Sequence, residues 1–394
     1  MPIQFGIDII LRNNPDWKSL RIGMLTNDAA KTNKGVISRI ALKEAGFNLV
    51  KIFSPEHGIN ANGTDGAFIK DSIDELTNLP IISLYGEKFI PSKKDLANID
   101  IMIFDVPDAG TRFYTYLWSM TYWIEAAAKF NIPVCILDRP NPLGGSISMS
   151  EGPMLDEKLT SFIGRFNIPV KHQCTLGELA QYFNATQNWN ANLKVVLCEG
   201  LHREKLFYDW NIKWVNPSPA IQNIEANLLY PGLCFFEATN VSVGRGSAYS
   251  FEWIGANWFN LPAIIMVCQN ILRDDIIVET LTLPITNNGM INDTKGIRIK
   301  VIEPKHYDAV LNGLLLMKLI KDIHPNDFKW MPYPTSANPL GENHLSLLMG
   351  IPNAESIFDL PLHGWLQQIS ILLRVDAWRN KIEPYLLYQN PNSI

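Results

Sequence analysis

Through its first half the chain alternates short, almost wholly apolar runs with stretches of helical periodicity, and few folds accommodate that pattern. RIGMLT (21–26), NLVKIFS (48–54), PIISLY (80–85), IDIMIFD (99–105), IPVCILD (132–138) and LKVVLCE (193–199) read as strands. Most are apolar at consecutive positions, which a strand tolerates when both its faces are covered. Between them KGVISRIALKEAGF (34–47), TYLWSMTYWIEAAAKF (115–130) and TLGELAQYFNAT (175–186) read as helices, the last opened by a Thr175/Glu178 capping box. Strand, helix, strand repeated in this way predicts an α/β fold, a Rossmann-like doubly wound parallel sheet over residues 1–222.

The alternation stops after WVNPSPAIQN (214–223), a Pro-rich stretch suited to a crossing linker. Residues 223–394 predict a smaller α+β domain that closes a cleft over the first. It carries a strand at GIRIKVIE (296–303), a helix over YDAVLNGLLLMKLIKDI (307–323) and terminal helices around WLQQISILLRV and AWRNKIEPYLLY. With 394 residues the chain is long enough for two domains, and 47% hydrophobic against 19% charged residues argues against disorder.

The formal charge of −5 and the lack of a polybasic cluster give no reason to expect nucleic acid or an anionic membrane surface as partner. No run reaches the length of a membrane span, and MPIQFGIDIILRNNPDW lacks the layout of an export signal. Cys135, Cys174, Cys198, Cys234 and Cys268 have no CxxC spacing and read as buried thiols. MLTNDAAKTNKG stands where a GxGxxG would follow the first strand, and there is no Walker loop, so no nucleotide cofactor is expected.

Ligands of doubly wound sheets bind beyond the carboxyl ends of the strands. Reading past each strand gives Asn27, then Glu56 and His57 of SPEHG, Tyr85, Asp105 and Asp108 with Arg112, and Asp138, Arg139 and Asn141. In a dry strand-end turn Glu56 can hold a proton and act as general acid; the alternatives are a helix cap or an arginine partner. His57 can orient it, contact ligand or fill a polar gap. Within FDVPDAGTRFYTY (104–116), beside Tyr114, Arg112 suits bidentate capture of a ligand carboxylate, or an ion pair with Asp105 or Asp108. The rigid LDRPNPLGG loop (137–145) presents Asp138, Arg139 and Asn141 to sugar hydroxyl and amide groups, or serves only itself.

In the second part FFEATNVSVGRG (235–246) offers Glu237, Asn240 and Arg245 among small residues. Glu56 and Glu237 brought from opposite sides of a cleft would suit glycoside hydrolysis by a carboxylate pair. The rival is a metal site drawn from His57, Asp105, Asp108, Asp138 and His172. No HExxH or comparable spacing supports it, and no metal is expected.

With these motifs assembled, the chain resembles over nearly its whole length the family known as DUF1343 or YbbC-like, associated with exo-β-N-acetylmuramidase NamZ. SPEHG, DVPDAGTRFYTY, LDRPNPLGG, EGPML (151–155), HQCTLGELA (172–180), PSPAIQN, YPGLCFFEATNVSVGRG and RNKIEPYLLY carry the resemblance in this order. It implies a Rossmann-like domain, a smaller C-terminal domain, and a cleft for the non-reducing end of a peptidoglycan-derived glycan. The reaction implied is removal of terminal N-acetylmuramic acid (MurNAc) from MurNAc-GlcNAc chains or disaccharides. On the same resemblance Glu56 is the general acid with His57 beside it. Glu237, then Asp105 or Asp108, is the second carboxylate, unless the acetamido group acts as internal nucleophile. Arg112, Arg139 or Arg245 meets the lactyl carboxylate, and Asn141 or Asn240 the acetamido group. Such proteins are often exported, so an exported or periplasmic location is expected, with the cytoplasm as the alternative that unpaired thiols suit. Ala220 and Ala238 depart from the usual Asn and Gly of the family pattern, which keeps a catalytically silent cell-wall-fragment binding protein in view.

Overall fold

The computed structural model describes residues 2–272, 276–287 and 290–388. Seven strands make the first sheet: β1 (Ile22–Thr26), β2 (Leu49–Ser54), β3 (Ser72–Ile73), β4 (Pro80–Ser83), β5 (Ile101–Asp105), β6 (Val134–Leu137) and, beyond an inserted hairpin of β7 (Glu151–Met154) and β8 (Pro169–Lys171), β9 (Leu193–Val196). Their order is β3-β4-β2-β1-β5-β6-β9, and every pair except the β3 edge is parallel. Setting the short β3 aside, the chain winds outward from the centre in both directions. The switch point of this doubly wound sheet therefore lies between β1 and β5.

The consecutive apolar residues of the strands divide between two faces, as their composition requires. Met24, Ile52, Ile103 and Cys135 pack with α1 (Gly6–Asn13) and α2 (Ser38–Glu44) on one side. Leu25, Phe53, Phe104 and Ile136 pack with α3 (Tyr116–Phe130) and α4 (Leu176–Thr186) on the other. The capping box of α4 forms as its sequence predicts, Thr175 accepting from the Glu178 N–H and Glu178 from the Thr175 N–H. Helix α2 is shorter than the apolar periodicity suggests. A bridge between Lys31 and Ile37, and the Thr32 hydroxyl bound by the Val36 N–H, commit those residues to a loop.

The remainder comprises α5 (Ile224–Leu233), β10 (Trp253–Gly255), α6 (Leu261–Ile271), β11 (Ile276–Asn287), β12 (Met290–Val301), α7 (Ala309–Ile323), α8 (His344–Met349), α9 (Ala354–Ile357), α10 (Leu362–Leu372) and α11 (Asp376–Ile382). An antiparallel sheet of order β10-β12-β11 lies among these helices. Strand β11 escapes a search for apolar runs because much of it is exposed and Glu279, Thr280 and Thr282 interrupt its apolar residues.

The apolar core on the α3 and α4 face continues through Phe235, Ile254, Leu314 and Trp365, so the second part sits on the first over a shared hydrophobic surface. The chain then returns to its first sheet. The Tyr388 hydroxyl donates to Asp138 at 2.6 Å and accepts the Cys198 N–H at 2.9 Å. All five cysteines are free and buried, as expected.

Candidate active site

The strand β2 ends at Ser54, and the next turn delivers Glu56 and His57 into a cavity, each 5% exposed. Glu56 Oε1 accepts the Gly66 N–H at 2.9 Å, and Oε2 accepts the Thr115 hydroxyl at 2.6 Å. Thr115 stands where a helix-capping residue would, but α3 receives no side-chain cap; the hydroxyl is committed to Glu56 instead.

His57 adopts the left-handed conformation (φ 64°), which turns the chain back on itself. Its Nδ1 lies 2.8 Å from the Gly63 carbonyl, and the Gly63 N–H returns to the His57 carbonyl at 3.0 Å. A carbonyl only accepts, so Nδ1 carries the proton and Nε2 stays available. The closed loop brings Asp65 back towards Glu56: a carboxylate oxygen of each and a ring nitrogen of His57 lie within 4.8 Å of one another. Gly66 has φ 67°, and a β-carbon there would stand 2.7 Å from that of Thr335. Its carbonyl accepts the Ser336 N–H at 2.9 Å and the Ser336 hydroxyl at 2.6 Å, which clasps this loop to the 333–341 segment.

The opposite wall is built by Glu237 and Arg245. The Arg245 Nε donates to Glu237 Oε1, its Nη2 lies 3.6 Å from Asp65, and the guanidinium rests 5.0 Å from the centre of the Phe251 ring. The Tyr333 hydroxyl donates to Asp65 at 2.8 Å and lies 3.4 Å from Glu237. His344 stacks on Tyr333 with ring centres 4.6 Å apart. Tyr85, Phe113, Tyr114, Tyr230 and Ala220 complete much of the lining.

Burial pushes the Glu56 carboxyl above the usual carboxylate range; the Asp65 charge adds to this, while His57, Thr115 and Gly66 pull the other way. Asp65 goes in the opposite direction. Burial alone would raise it, but Arg245, His57 and the Tyr333 hydroxyl together hold it below its ordinary value. Glu237 is raised by burial in spite of Arg245. His344 is lowered by burial to about 4 and is therefore neutral near pH 7. The neighbouring carboxyls Glu56 and Asp65 are thus driven apart, the condition under which one supplies a proton while the other carries charge.

Several candidates read from the sequence lie elsewhere. Arg112 is wholly buried, its guanidinium donating to the carbonyls of Pro153 (2.7 Å), Ile168 (2.9 Å) and Leu348 (2.7 Å), so it braces backbone and is not free to clamp a ligand. Asp105 is buried and ion-paired with Arg139 at 2.5 Å, a contact that ties the ends of β5 and β6. Asp138 receives Thr175, Tyr388 and the N–H groups of Arg139 and Gly177, which makes it the buried anchor of α4 and the chain end. Asn141 bonds Cys174 and Leu143, and Asn240 bonds Asp327 and Lys329; both amides are used within the loops that hold them. Asp108 lies 3.3 Å from His172 Nε2 and lines, with Arg139, a separate crevice.

The metal set drawn from His57, Asp105, Asp108, Asp138 and His172 does not assemble. Among the described residues the group spaced to hold an ion is Glu56, His57 and Asp65. That trio fits an ion poorly: both Glu56 oxygens already accept hydrogen bonds and its carboxyl is biased towards the protonated form.

Asp65, Tyr333 and His344 escape sequence reading. NANGTDGAF (60–68) contains the only available hint, an aspartate between two glycines shortly after SPEHG. Tyr333 lies in the Pro-rich connection that leads to α8, and His344 opens that helix; their approach to the loop is a tertiary fact.

Comparison with known proteins gives a consistent result. Two family models match, described as exo-beta-N-acetylmuramidase NamZ, N-terminal, over residues 22–225, and exo-beta-N-acetylmuramidase NamZ, C-terminal, over residues 228–388. The chain is 35% identical over 336 residues to the peptidoglycan beta-N-acetylmuramidase NamZ of Bacillus subtilis (strain 168), covering 84% of this chain and 80% of that protein. Among solved structures it is similar to a DUF1343 family protein from Bacteroides fragilis NCTC 9343, with a TM-score of 0.86 and 26% identity over 98% of this chain and 99% of the other. A second DUF1343 protein of that organism matches with a TM-score of 0.66 and 27% identity over 99% and 100% of the two chains.

Proposed function

The chain belongs to the exo-β-N-acetylmuramidase NamZ family, and on that premise we propose that Glu56 and Asp65 together release MurNAc from the non-reducing end of MurNAc-GlcNAc glycans. The protein is a glycoside hydrolase of peptidoglycan-derived glycans. The observation that carries the assignment of roles is the divergence of two adjacent carboxyls, Glu56 held up by burial and Asp65 held down by Arg245, His57 and Tyr333.

Glu56 donates its proton to the glycosidic oxygen as the bond to the leaving GlcNAc lengthens. Asp65, ionised, attacks the anomeric carbon as that bond breaks, and Glu56, now a carboxylate, takes a proton from the water that then displaces Asp65, releasing MurNAc and restoring both carboxyls. Their closest oxygens fall within the 4.8 Å of the cluster, short of the roughly 6.5–9.5 Å that an inverting pair needs to seat a water. The spacing favours retention of configuration. Asp65 thereby takes the place that sequence reading gives first to Glu237, whose carboxylate is occupied in holding Arg245.

Arg245 is the guanidinium lining this cavity, and it is the proposed partner of the lactyl carboxylate. The tyrosines and Phe113 around it supply flat faces for the sugar ring. No step in this scheme uses a metal. Incubation with MurNAc-GlcNAc, with and without EDTA, tests the reading. EDTA-resistant release of free MurNAc is expected; binding without release would favour a silent binding protein, and loss of release on chelation would favour metal-assisted hydrolysis.

A further inference from the structure

The topology places a second crevice where a doubly wound sheet ordinarily receives its ligand. It opens at the switch point between β1 and β5, is lined by Ala29 and the Lys31–Gly35 turn beyond β1 and by Pro107 and Asp108 beyond β5, and has a volume of about 600 Å³. That size is typical of small-molecule sites. The cavity containing Glu56 lies beyond β2 and does not occupy this position.

The lining of the crevice has its own chemistry. Lys31, Lys34 and Lys213 border it, and none of their ammonium groups has an ion-pair or hydrogen-bond partner among the described residues. Arg139 lines it too, using Nε and Nη2 on Asp105 and leaving Nη1 without a partner there. Among the described residues Asp108 is the carboxylate in the lining, with Asp105 behind Arg139 and Asp8 behind the Asn33 N–H. In a chain of net charge −5, the three lysines without a partner among the described residues make the mouth of the crevice locally positive. The remaining wall is aromatic: Phe207 meets Trp210 and Trp214 edge-on with ring centres 5.4 and 5.0 Å apart, and Trp214 is half-buried. The Trp210 indole N–H is buried without a hydrogen-bond partner among the described residues.

We propose that this crevice is a second binding site, for an anionic saccharide, whose ring lies against Trp214 and Phe207 while its carboxylate meets Lys34 and Lys213. A dinucleotide is the usual occupant of such a position, but the β1–α2 loop lacks the glycine pattern that lets a backbone approach a pyrophosphate. Flat aromatic faces with flexible ammonium groups suit a sugar acid instead. The site adjoins the first cavity: Pro217 lines the crevice, Ser218 lines the cavity, and the Pro217 carbonyl is held by the Tyr116 hydroxyl at 2.8 Å. An acidic glycan unit bound here sits beside the place where MurNAc is removed. The choice of a saccharide rests on the glycosidase reading; the location and the cationic character of the site do not.

The test uses the full chain carrying Glu56→Gln, so that ligand survives, and follows calorimetric titration with MurNAc-GlcNAc at low and at physiological salt. Two classes of site per chain are expected. The Lys34→Glu/Lys213→Glu change, at two exposed positions, should weaken one class by on the order of tenfold or more and leave the other. Trp214→Ala should abolish the same class, and neutral GlcNAc disaccharide should fail to fill it. A single class of site, a second class indifferent to the charge reversals, or displacement of the second sugar by NADH would overturn the proposal. Wild-type turnover of the disaccharide reports separately on the glycosidase reading.

Discussion

The Thr115 hydroxyl donates to Glu56 Oε2 at 2.6 Å, joining the residue that precedes α3 to the turn that follows β2. This contact lowers the Glu56 pKa against the larger effect of burial, so it tunes the acid as well as orienting it. Thr115→Val should raise that pKa further. Because the protonated form is the active one, the alkaline limb of the kcat/KM profile should move to higher pH. The fold should be retained, since the hydroxyl does not cap α3, with a stability loss of about 1–3 kcal/mol from the buried hydrogen bond. A limb that stays in place or moves down would show that the contact does not govern the titrating group.

Arg245 holds Glu237 and approaches Asp65 while remaining about a third exposed, at 30% of its side chain. Removing it alone leaves the buried carboxyl of Glu237 and the partly exposed Asp65 without their counter-charge, so Arg245→Ala is to be compared with Arg245→Ala/Glu237→Gln. Both variants should raise KM for MurNAc glycosides by on the order of tenfold or more and leave KM for the GlcNAc analogue nearly unchanged, while any fall in kcat that arises through Asp65 should be shared by both sugars. An equal rise in KM on both sugars would assign Arg245 to structure rather than to the lactyl carboxylate.

Tyr388 fastens the end of the described chain to the first sheet through Asp138 and Cys198. Tyr388→Phe should lower unfolding stability by about 1–3 kcal/mol in denaturant titration, because two buried hydrogen bonds lose their shared partner. The kcat should stay unchanged. Full stability in this variant would show that the chain end is held by its apolar contacts alone.

The sheet was legible in the sequence because parallel strands buried on both faces must be apolar at consecutive positions, as in IDIMIFD, and little else in a soluble chain looks like that. The same logic misses β11, whose exposure leaves it no such run. At the candidate site, Glu56, His57, Glu237 and Arg245 were legible because strand-end position and small neighbours mark them. Rim position did not separate ligands from braces. Asp105 and Arg139 satisfy each other, Arg112 is spent on three carbonyls, and both outcomes depend on packing rather than order along the chain. Asp65 becomes visible only once His57 turns the loop and Gly66 gives its N–H to Glu56.

The most direct test of the whole account compares wild type with Glu56→Gln on two substrates of different leaving group, MurNAc-GlcNAc and para-nitrophenyl MurNAc. A general acid matters most where the departing oxygen is a poor leaving group. Glu56→Gln should lose about 10²–10⁴ in kcat/KM on the disaccharide and much less on the nitrophenyl glycoside, with the fold intact. Retained turnover of the disaccharide, or equal losses on both substrates, would contradict Glu56 as the proton donor.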